Sequence, residues 1–429
     1  MDGLSSHPNL VGSIGEWLVD QALGSPDLVD MFVETCKRLY AVGIPIRRAM
    51  VTWPTLHPVV EVESAIWRRG EEVSFEQIYH NAEASENWRN SPFKFLLESK
   101  SPVMRRHLTG PGKILDFKVL EFFAAQGFTD YLAMATEFDM PSTREEHDPR
   151  GVVLSWTTDR DSGYTDEDIW ALRQIQRQFA VASKTVIQSR IARNIADTYL
   201  GKSASRRVLS GQIRRGDGES TRAVVLYSDL RRSTQLAETM PRDAFIAHLN
   251  NYFDCVAGAA IAAGGEVLDF IGDAVLAIFP LTDGEISGAA VTSAEAAVAD
   301  ALMRSQAARK QRRAAGLPEL DYGVALSIGE VMFGNIGVPE RLTFSVIGPT
   351  VNEVARIEKL TKLVKRPVLA TAEIAASHPE LWESVGRHDI AGMAQPLELF
   401  AWIHDRAADT DKETGVAPHA PIAAPADRH

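Results

Sequence analysis

Apolar side chains recur at three- and four-residue spacing early in the chain. Leu28, Met31, Phe32, Cys36 and Leu39-Tyr40 predict a helix over 26–42. Ser25 as N-cap and Pro26 in the first turn mark its start. The period then shortens. Residues 48–53 and 59–67 read as extended segments, with Pro54 and Pro58 breaking between them. Val119, Leu120, Phe122 and Phe123 predict a helix over 116–126 that Gly127 stops, and 131–136 and 151–157 read as strands.

A longer helix opens at Thr165, where Asp168 three residues on forms a variant of the capping box. Leu172, Ile175, Phe179, Ala182 and Val186 keep a coiled-coil spacing that drifts into Ile187, Ile191 and Ile195. Two readings stay open: a dimeric signalling helix linking two regions, or a helix packed on its own domain. Gly201, Gly211, Gly216 and Gly218 make 200–220 a hinge.

From 222 onward the elements alternate. The pattern predicts a strand over 222–228, a helix over 241–263 with Pro241 in its first turn, and two strands flanking Gly272. A helix over 287–315, a strand over 322–328, a helix over 350–363 and a strand over 367–370 follow. The order suits an α+β fold, an antiparallel-containing sheet with helices on one face. Residues 404–429, rich in Ala, Pro and Asp without periodicity, read as a disordered tail.

Composition narrows the class. A chain of 429 residues predicts two or three domains. Its net charge of −12 makes it a poor general binder of nucleic acid. Cys36 and Cys255 match no metal spacing and read as buried reduced thiols. No apolar run approaches the roughly 18–20 residues of a membrane span, and residues 1–6 lack the pattern of a signal peptide. A cytoplasmic protein is expected.

The candidate chemistry lies in the second half. Asp229 follows the β-prone run 223–227, and Asp273 follows Gly272, 44 positions later. A lone Asp at a strand end is usually a turn or cap residue. Two such aspartates on adjacent strands can instead share Mg²⁺, which takes hard oxygen ligands. Asn352 and Arg356, four apart, share one helix face. Together these parts can handle a nucleoside triphosphate.

Tyr227-Ser-Asp-Leu-Arg-Arg-Ser-Thr234, Phe270-Ile-Gly-Asp-Ala274 and Phe344 to Arg356 resemble the catalytic domain of class III nucleotide cyclases, over roughly 215–403. The alternating elements are similar to that family's ferredoxin-like core. Residues 1–164 look like a GAF-type or PAS-type sensor domain, 165–220 like a signalling helix and hinge, and 221–403 like the catalytic domain. The resemblance implies conversion of ATP or GTP to a 3′,5′-cyclic nucleotide and pyrophosphate. It implies two Mg²⁺ or Mn²⁺ ions per site, held by Asp229, Asp273 and the Leu230 carbonyl. Arg231, Arg232, Ser233 and Thr234 would offer backbone N–H groups to the phosphates. Asn352 would orient the ribose and Arg356 hold the α-phosphate. In the family these two come from the opposite subunit, so a homodimer with composite sites is expected, with an unidentified small ligand or signal at the N-terminal domain.

Two positions depart from the pattern. Asp269 stands where adenylate cyclases carry Lys and guanylate cyclases Glu, and Ser345 occupies the second base-reading position. A carboxylate accepts from the N1–H and N2–H₂ of guanine, yet Asp is one methylene shorter than Glu, so ATP and GTP both stay open. Ile390-Ala-Gly392 replaces a segment that carries a triphosphate lysine, with Lys362, Lys365 or Arg366 as substitutes. A degenerate nucleotide-binding regulator, or a pure interaction module, is the alternative. His57, set between two prolines, reads as a haem or metal ligand or as a structural residue. Trp53, Trp67, Trp88 and Trp156 read as pocket or core residues, and Gly334–Gly337 as a hairpin turn.

Overall fold

The computed structural model describes residues 6–80, 86–140, 151–281, 288–393 and 395–404. The tail expected beyond His404 lies outside the described residues. The chain forms two compact units, Met1–Tyr199 and Leu200–His429. No helix among the described residues is long and apolar enough to cross a membrane.

The first unit runs α1 (Ser6–Leu23), α2 (Leu28–Ala41), β1 (Arg48–Pro54), β2 (Val60–Arg68), β3 (Ser74–Tyr79), α3 (Glu86–Arg89), α4 (Pro92–Glu98), β4 (Val103–His107), α5 (Lys118–Ala125), β5 (Asp130–Glu137), β6 (Gly151–Thr158) and α6 (Asp166–Leu200). Its strands form one antiparallel sheet in the order β3-β2-β1-β6-β5-β4. Alternation along the strands splits the core in two. Ala49, Val51, Leu132 and Leu154 pack beneath α1, α2 and α6, whereas Tyr131, Ala133 and Val153 pack beneath α4 and α5.

Several expectations change. The helix expected at 26–42 starts at Leu28, capped by Asp27 rather than Ser25; Asp27 Oδ1 accepts from the N–H groups of Val29 and Asp30 at 2.8 and 3.2 Å. A carboxylate satisfies two orphan donors there and meets the positive end of the helix dipole. The Thr165–Asp168 box forms as expected, with each side chain accepting the other residue's N–H. The seam it opens faces inward: Leu172, Ile175, Phe179, Ala182 and Val186 are buried in the core of this same unit. Of the two readings, the helix packed on its own domain is the one formed. The expected hinge holds a helix, α7 (Lys202–Leu209), and the unit boundary falls at 199/200 instead of at 164 and 220. His57 closes the β1–β2 turn, its Nδ1 accepting from Val59 and Val60 N–H at 3.2 Å.

The second unit continues with β7 (Gly218–Leu230), α8 (Ser233–Thr239), α9 (Arg242–Ala262), β8 (Glu266–Ile271), β9 (Ala274–Pro280), α10 (Gly288–Ala314), β10 (Tyr322–Val338), β11 (Arg341–Ile347), α11 (Pro349–Val364), β12 (Val368–Thr371), α12 (Ala372–Ala375), β13 (Trp382–His388) and β14 (Leu397–Trp402). The sheet order is β13-β14-β12-β10-β7-β9-β8, with β11 on β10; only β10 and β12 run parallel. Helices cover both faces, not one. Tyr322, Val324, Leu326 and Ile328 of β10 meet α9 and α10. The alternate positions Gly323, Ala325, Ser327 and Gly329 meet α11. Pro241 is the N-cap of α9, one position earlier than expected. Gly334–Gly337 lies inside β10, paired with β11, and does not turn; buried Asn335 instead donates its amide to the carbonyls of Gln212 and Arg214 at 2.8 and 3.2 Å.

Burial of the α6 seam gives a direct test. Phe179 is fully buried, edge-on to Phe32 with ring centroids 6.2 Å apart. Phe179→Ala should destabilise the first unit by about 3–5 kcal/mol, measured by urea unfolding at two protein concentrations. An effect that appears only as concentration falls would place this side chain in a dimer seam and contradict the packing.

Candidate active site

The site grows from the register of three strands. In β7, Asp229 pairs with Gly323 of β10 on one side and Ala274 of β9 on the other. Gly272, with φ +67°, turns β8 into β9 and delivers Asp273 beside Asp229. The Leu230 N–H donates to the Asp273 carbonyl at 3.3 Å, fixing the turn to the end of β7. The adjacency that the two acidic motifs require is present.

Helix α11 adds a third carboxylate. Thr350, Val354, Ile357, Glu358 and Thr361 form its buried face. Glu358 stands over Gly323, where an added Cβ would lie 2.2 Å from Glu358 Oε1 and 2.5 Å from Thr361 Oγ1. Ser327 donates to Glu353 Oε1 at 2.7 Å and Thr350 to the Glu330 carbonyl at 3.0 Å, so polar groups along the helix are tied to the same strand.

Electrostatics follow from this crowding. The Asp229 carboxyl is pushed above the usual range by burial and then by Asp273, which shares a side-chain hydrogen bond with it; Lys362 and Lys359 pull in the opposite direction. Burial, reinforced by Asp229, lifts Glu358 to about 7. Burial and the same acids raise the Tyr227 phenol. Among the described residues no group of three or more His, Cys, Asp or Glu side chains is disposed to hold a metal. The donor set is the Asp229–Asp273 pair, and two adjoining carboxylates fit a divalent cation of the Mg²⁺ type, which takes hard oxygen ligands.

The remaining expected residues fall in different places. Asn352 and Arg356 are exposed on α11. Arg356 precedes Glu358 by two residues, about 200° around the helix, so it turns away from its own Asp229. Glu353 and Glu358 accept from Ser327 and Thr361. The Ile390–Gly392 turn lies against Arg356, with a Gly392 Cβ 2.8 Å from its Nη1. Asp269 sits half-buried at a bulge of β8, opposite Leu276, and so on the α11 side of the sheet with Asp229. Ser345 alternates with Phe344 and Val346, which pack in the α11-side core, and points the other way.

The phosphate segment is only partly free. The Arg231 N–H donates to the Asp321 carbonyl at 2.8 Å and its guanidinium donates to Thr361 Oγ1 at 3.3 Å, which withdraws that residue. Arg232, at φ +60°, caps α8 and is exposed like Thr234, while Ser233 is half-buried. Arg366 is committed to Glu383 and the Trp402 carbonyl, and Lys365 caps α11 in the left-handed region. Of the three substitute cations only Lys362 lies near the acidic pair.

The sequence pattern does not single out Glu358. The signal that locates it is the run Gly323-x-Ala-x-Ser-x-Gly329, small at every second position, which lets a helix lie close to the strand.

Glu358 gives a pH test of sign. A carboxyl lifted from 4.5 to about 7 holds its proton in the folded chain after the unfolded chain has released it, so stability falls as pH rises through that window. In metal-free buffer, Glu358→Gln should weaken this fall by about 1–3 kcal/mol between pH 5 and 8. Urea unfolding at both pH values checks it; equal slopes for the two chains would contradict the burial described.

No protein-family model matches the chain. An adenylate cyclase of Anabaena cylindrica is 31% identical over 166 residues, covering 37% of this chain and 31% of that protein. An uncharacterised protein of Mycobacterium tuberculosis is 30% identical over 239 residues, covering 53% of this chain and 41% of that protein. The chain thus spans about a third to two-fifths of the length of these curated relatives. Among solved structures, the adenylyl cyclase CyaB of P. aeruginosa shares 22% identity at a TM-score of 0.39, covering 43% of this chain and 95% of that one. The guanylyl cyclase Cya2 shares 24% at 0.38, covering 43% and 93%. Over part of its length the chain is similar in sequence to an adenylate cyclase, and its second unit is an α+β domain built on a largely antiparallel sheet.

Proposed function

We propose that the chain converts ATP or GTP into the 3′,5′-cyclic nucleotide and pyrophosphate, as a homodimer whose two sites are each shared between protomers, in intracellular signalling. The observation that carries this reading is the convergence of Asp229 and Asp273 at adjoining strand ends, in a setting that holds them too close for two free charges. Bound Mg²⁺ or Mn²⁺ would favour ionisation of the attacking 3′-hydroxyl and neutralise the leaving pyrophosphate. Asp229 and Asp273 would hold the cations, with the Leu230 carbonyl beside them. The 3′-oxygen bonds to the α-phosphorus as the bond to the bridging oxygen breaks.

The exposed Arg356 supplies a planar fork for α-phosphate oxygens, a geometry Lys cannot reproduce. Asn352, one turn earlier, orients the ribose. Both come from the second protomer, because within one chain they face away from the acidic pair. Asp269 accepts from the base, which favours guanine, although ATP remains a substrate under this reading. Ala391 leaves the triphosphate without the usual lysine, and the backbone N–H groups around Ser233 and Thr234 carry that contact. The first unit acts as the sensor.

Two measurements test the proposal. With ATP and GTP supplied separately and Mn²⁺ then Mg²⁺ as metal, the purified chain should form cyclic nucleotide, and Asp273→Ala should lose at least about 100-fold. No product under either metal would overturn the catalytic reading and leave a nucleotide-binding regulator. Asp229→Ala and Arg356→Ala should each be inactive alone, yet an equimolar mixture should recover roughly a quarter of wild-type activity, since half the dimers then hold one intact site of two. A mixture as inactive as its parts would rule out shared sites.

A further inference from the structure

The first unit contains a cavity of about 670 Å³ between the sheet and the helices α4 and α5. Its volume falls in the range that holds a small organic ligand. Phe93, Phe122, Phe123, Trp88 and Met50 supply apolar wall. Of the four tryptophans read from the sequence as pocket or core, only Trp88 lines it; Trp53, Trp67 and Trp156 pack in the core on the opposite face of the sheet.

The floor is polar. Arg48 opens β1 and, by alternation, shares the cavity face with Met50 and Thr52, while Ala49 and Val51 face the other core. It is 7% exposed. Its guanidinium lies 5.0 Å from the centre of the Phe123 ring, and Nη2 donates only to Met50 Sδ, at 3.5 Å. Among the described residues no carboxylate forms a salt bridge with it. Around it, the hydroxyls of Thr52 and Ser64 bond each other at 2.9 Å, and Tyr131 bonds Ser155. Exposed Glu76 and Lys118 also line the cavity, with opposite charges.

Exposed Glu76 attracts the guanidinium from beyond salt-bridge distance, and this together with one aromatic face compensates a buried cation only in part. Burial lowers Arg48 to about 10, so it still carries its charge at neutral pH. The unpaired fork therefore faces a cavity in need of one anion, and the rest of the wall needs apolar contact.

We propose that this cavity binds a small organic monocarboxylate with an aromatic or branched apolar body, its carboxylate held by the Arg48 guanidinium and its body against Phe93, Phe122 and Phe123. One guanidinium matches one negative charge. A phosphate dianion would leave charge uncompensated among phenyl rings, and a neutral ligand would leave Arg48 unpaired. The carboxylate oxygens accept two N–H bonds from the fork, and the Thr52, Ser64 and Tyr131 hydroxyls remain for a further polar atom.

The test uses the full chain and needs no cyclase activity. Benzoate, phenylacetate, indole-3-acetate, octanoate and 4-methylpentanoate are titrated by calorimetry and thermal shift, beside their primary amides and inorganic phosphate. At least one acid should bind saturably and about tenfold or more tighter than its amide. Arg48→Gln should abolish that difference, and Phe123→Leu should weaken the aromatic acids while the chain stays folded. Should Arg48→Gln fail to fold, the acid and amide titrations of the unaltered chain decide the matter. Binding of no acid, equal binding of acid and amide, or binding of phosphate alone would each overturn the proposal.

Discussion

The close seating of α11 on β10 is the constraint from which the candidate active site follows. Gly323, Ala325, Ser327 and Gly329 leave a shallow trough along one face of the strand, while Tyr322, Val324, Leu326 and Ile328 fill the other. A Cβ at Gly323 or Gly329 would meet Glu358 or Thr350 at 2.2 or 2.4 Å. Such an overlap would force the Glu358 carboxyl or the Thr350 side chain out of its present place. Seated where it is, α11 sends Val354 and Ile357 into the core and places Glu358 over the residue that pairs with Asp229.

Packing and electrostatics pull against each other at that point. Burying Val354 and Ile357 stabilises by roughly 1.5–3 kcal/mol each. The same motion brings three acids together, and two unit charges 4 Å apart repel by about 4 kcal/mol at an effective dielectric of 20. Asp229 and Glu358 both titrate above their ordinary range as a result. Lys359 and Lys362 offset part of the repulsion from the same helix. The repulsion between Asp229 and Asp273 is what a divalent cation would relieve. Hydrophobic seating of the helix thus shapes the acidic cluster to which the proposed reading assigns the cations.

How much was legible in the sequence depends on how local each signal is. Asp229 and Asp273 stand out because each ends an apolar strand at a turn, and the Thr165–Asp168 box because its partners are three residues apart. The cap of α2 was misplaced by two residues, since Ser25 and Asp27 both suit the role and only the extended backbone at Asp27 decides between them. Helix α1 and the strands β3 and β4 escaped notice: β3 is largely exposed and β4 short, so neither shows a clean apolar alternation. The α6 seam was legible as a stripe but not as to what covers it, because a core and a partner helix demand the same spacing. Glu358 looked like an ordinary helix acid, as its burial depends on two glycines some thirty positions earlier in β10. The Arg231 backbone was likewise committed by a distant strand, through Asp321.

The face that α11 leaves outward bears on why one copy is insufficient under the reading proposed. Asn352 and Arg356 lie about 240° and 200° around the helix from Glu358. The helix cannot turn to bring them to Asp229 without pulling Glu358, Thr350 and Thr361 out of the trough. The exposed Arg356 has no carboxylate partner among the described residues, and the Ile390–Gly392 turn flanks it. Under the reading proposed, acids held beneath one face of α11 and an arginine fork on the other would meet at one nucleotide only through a second copy of the chain.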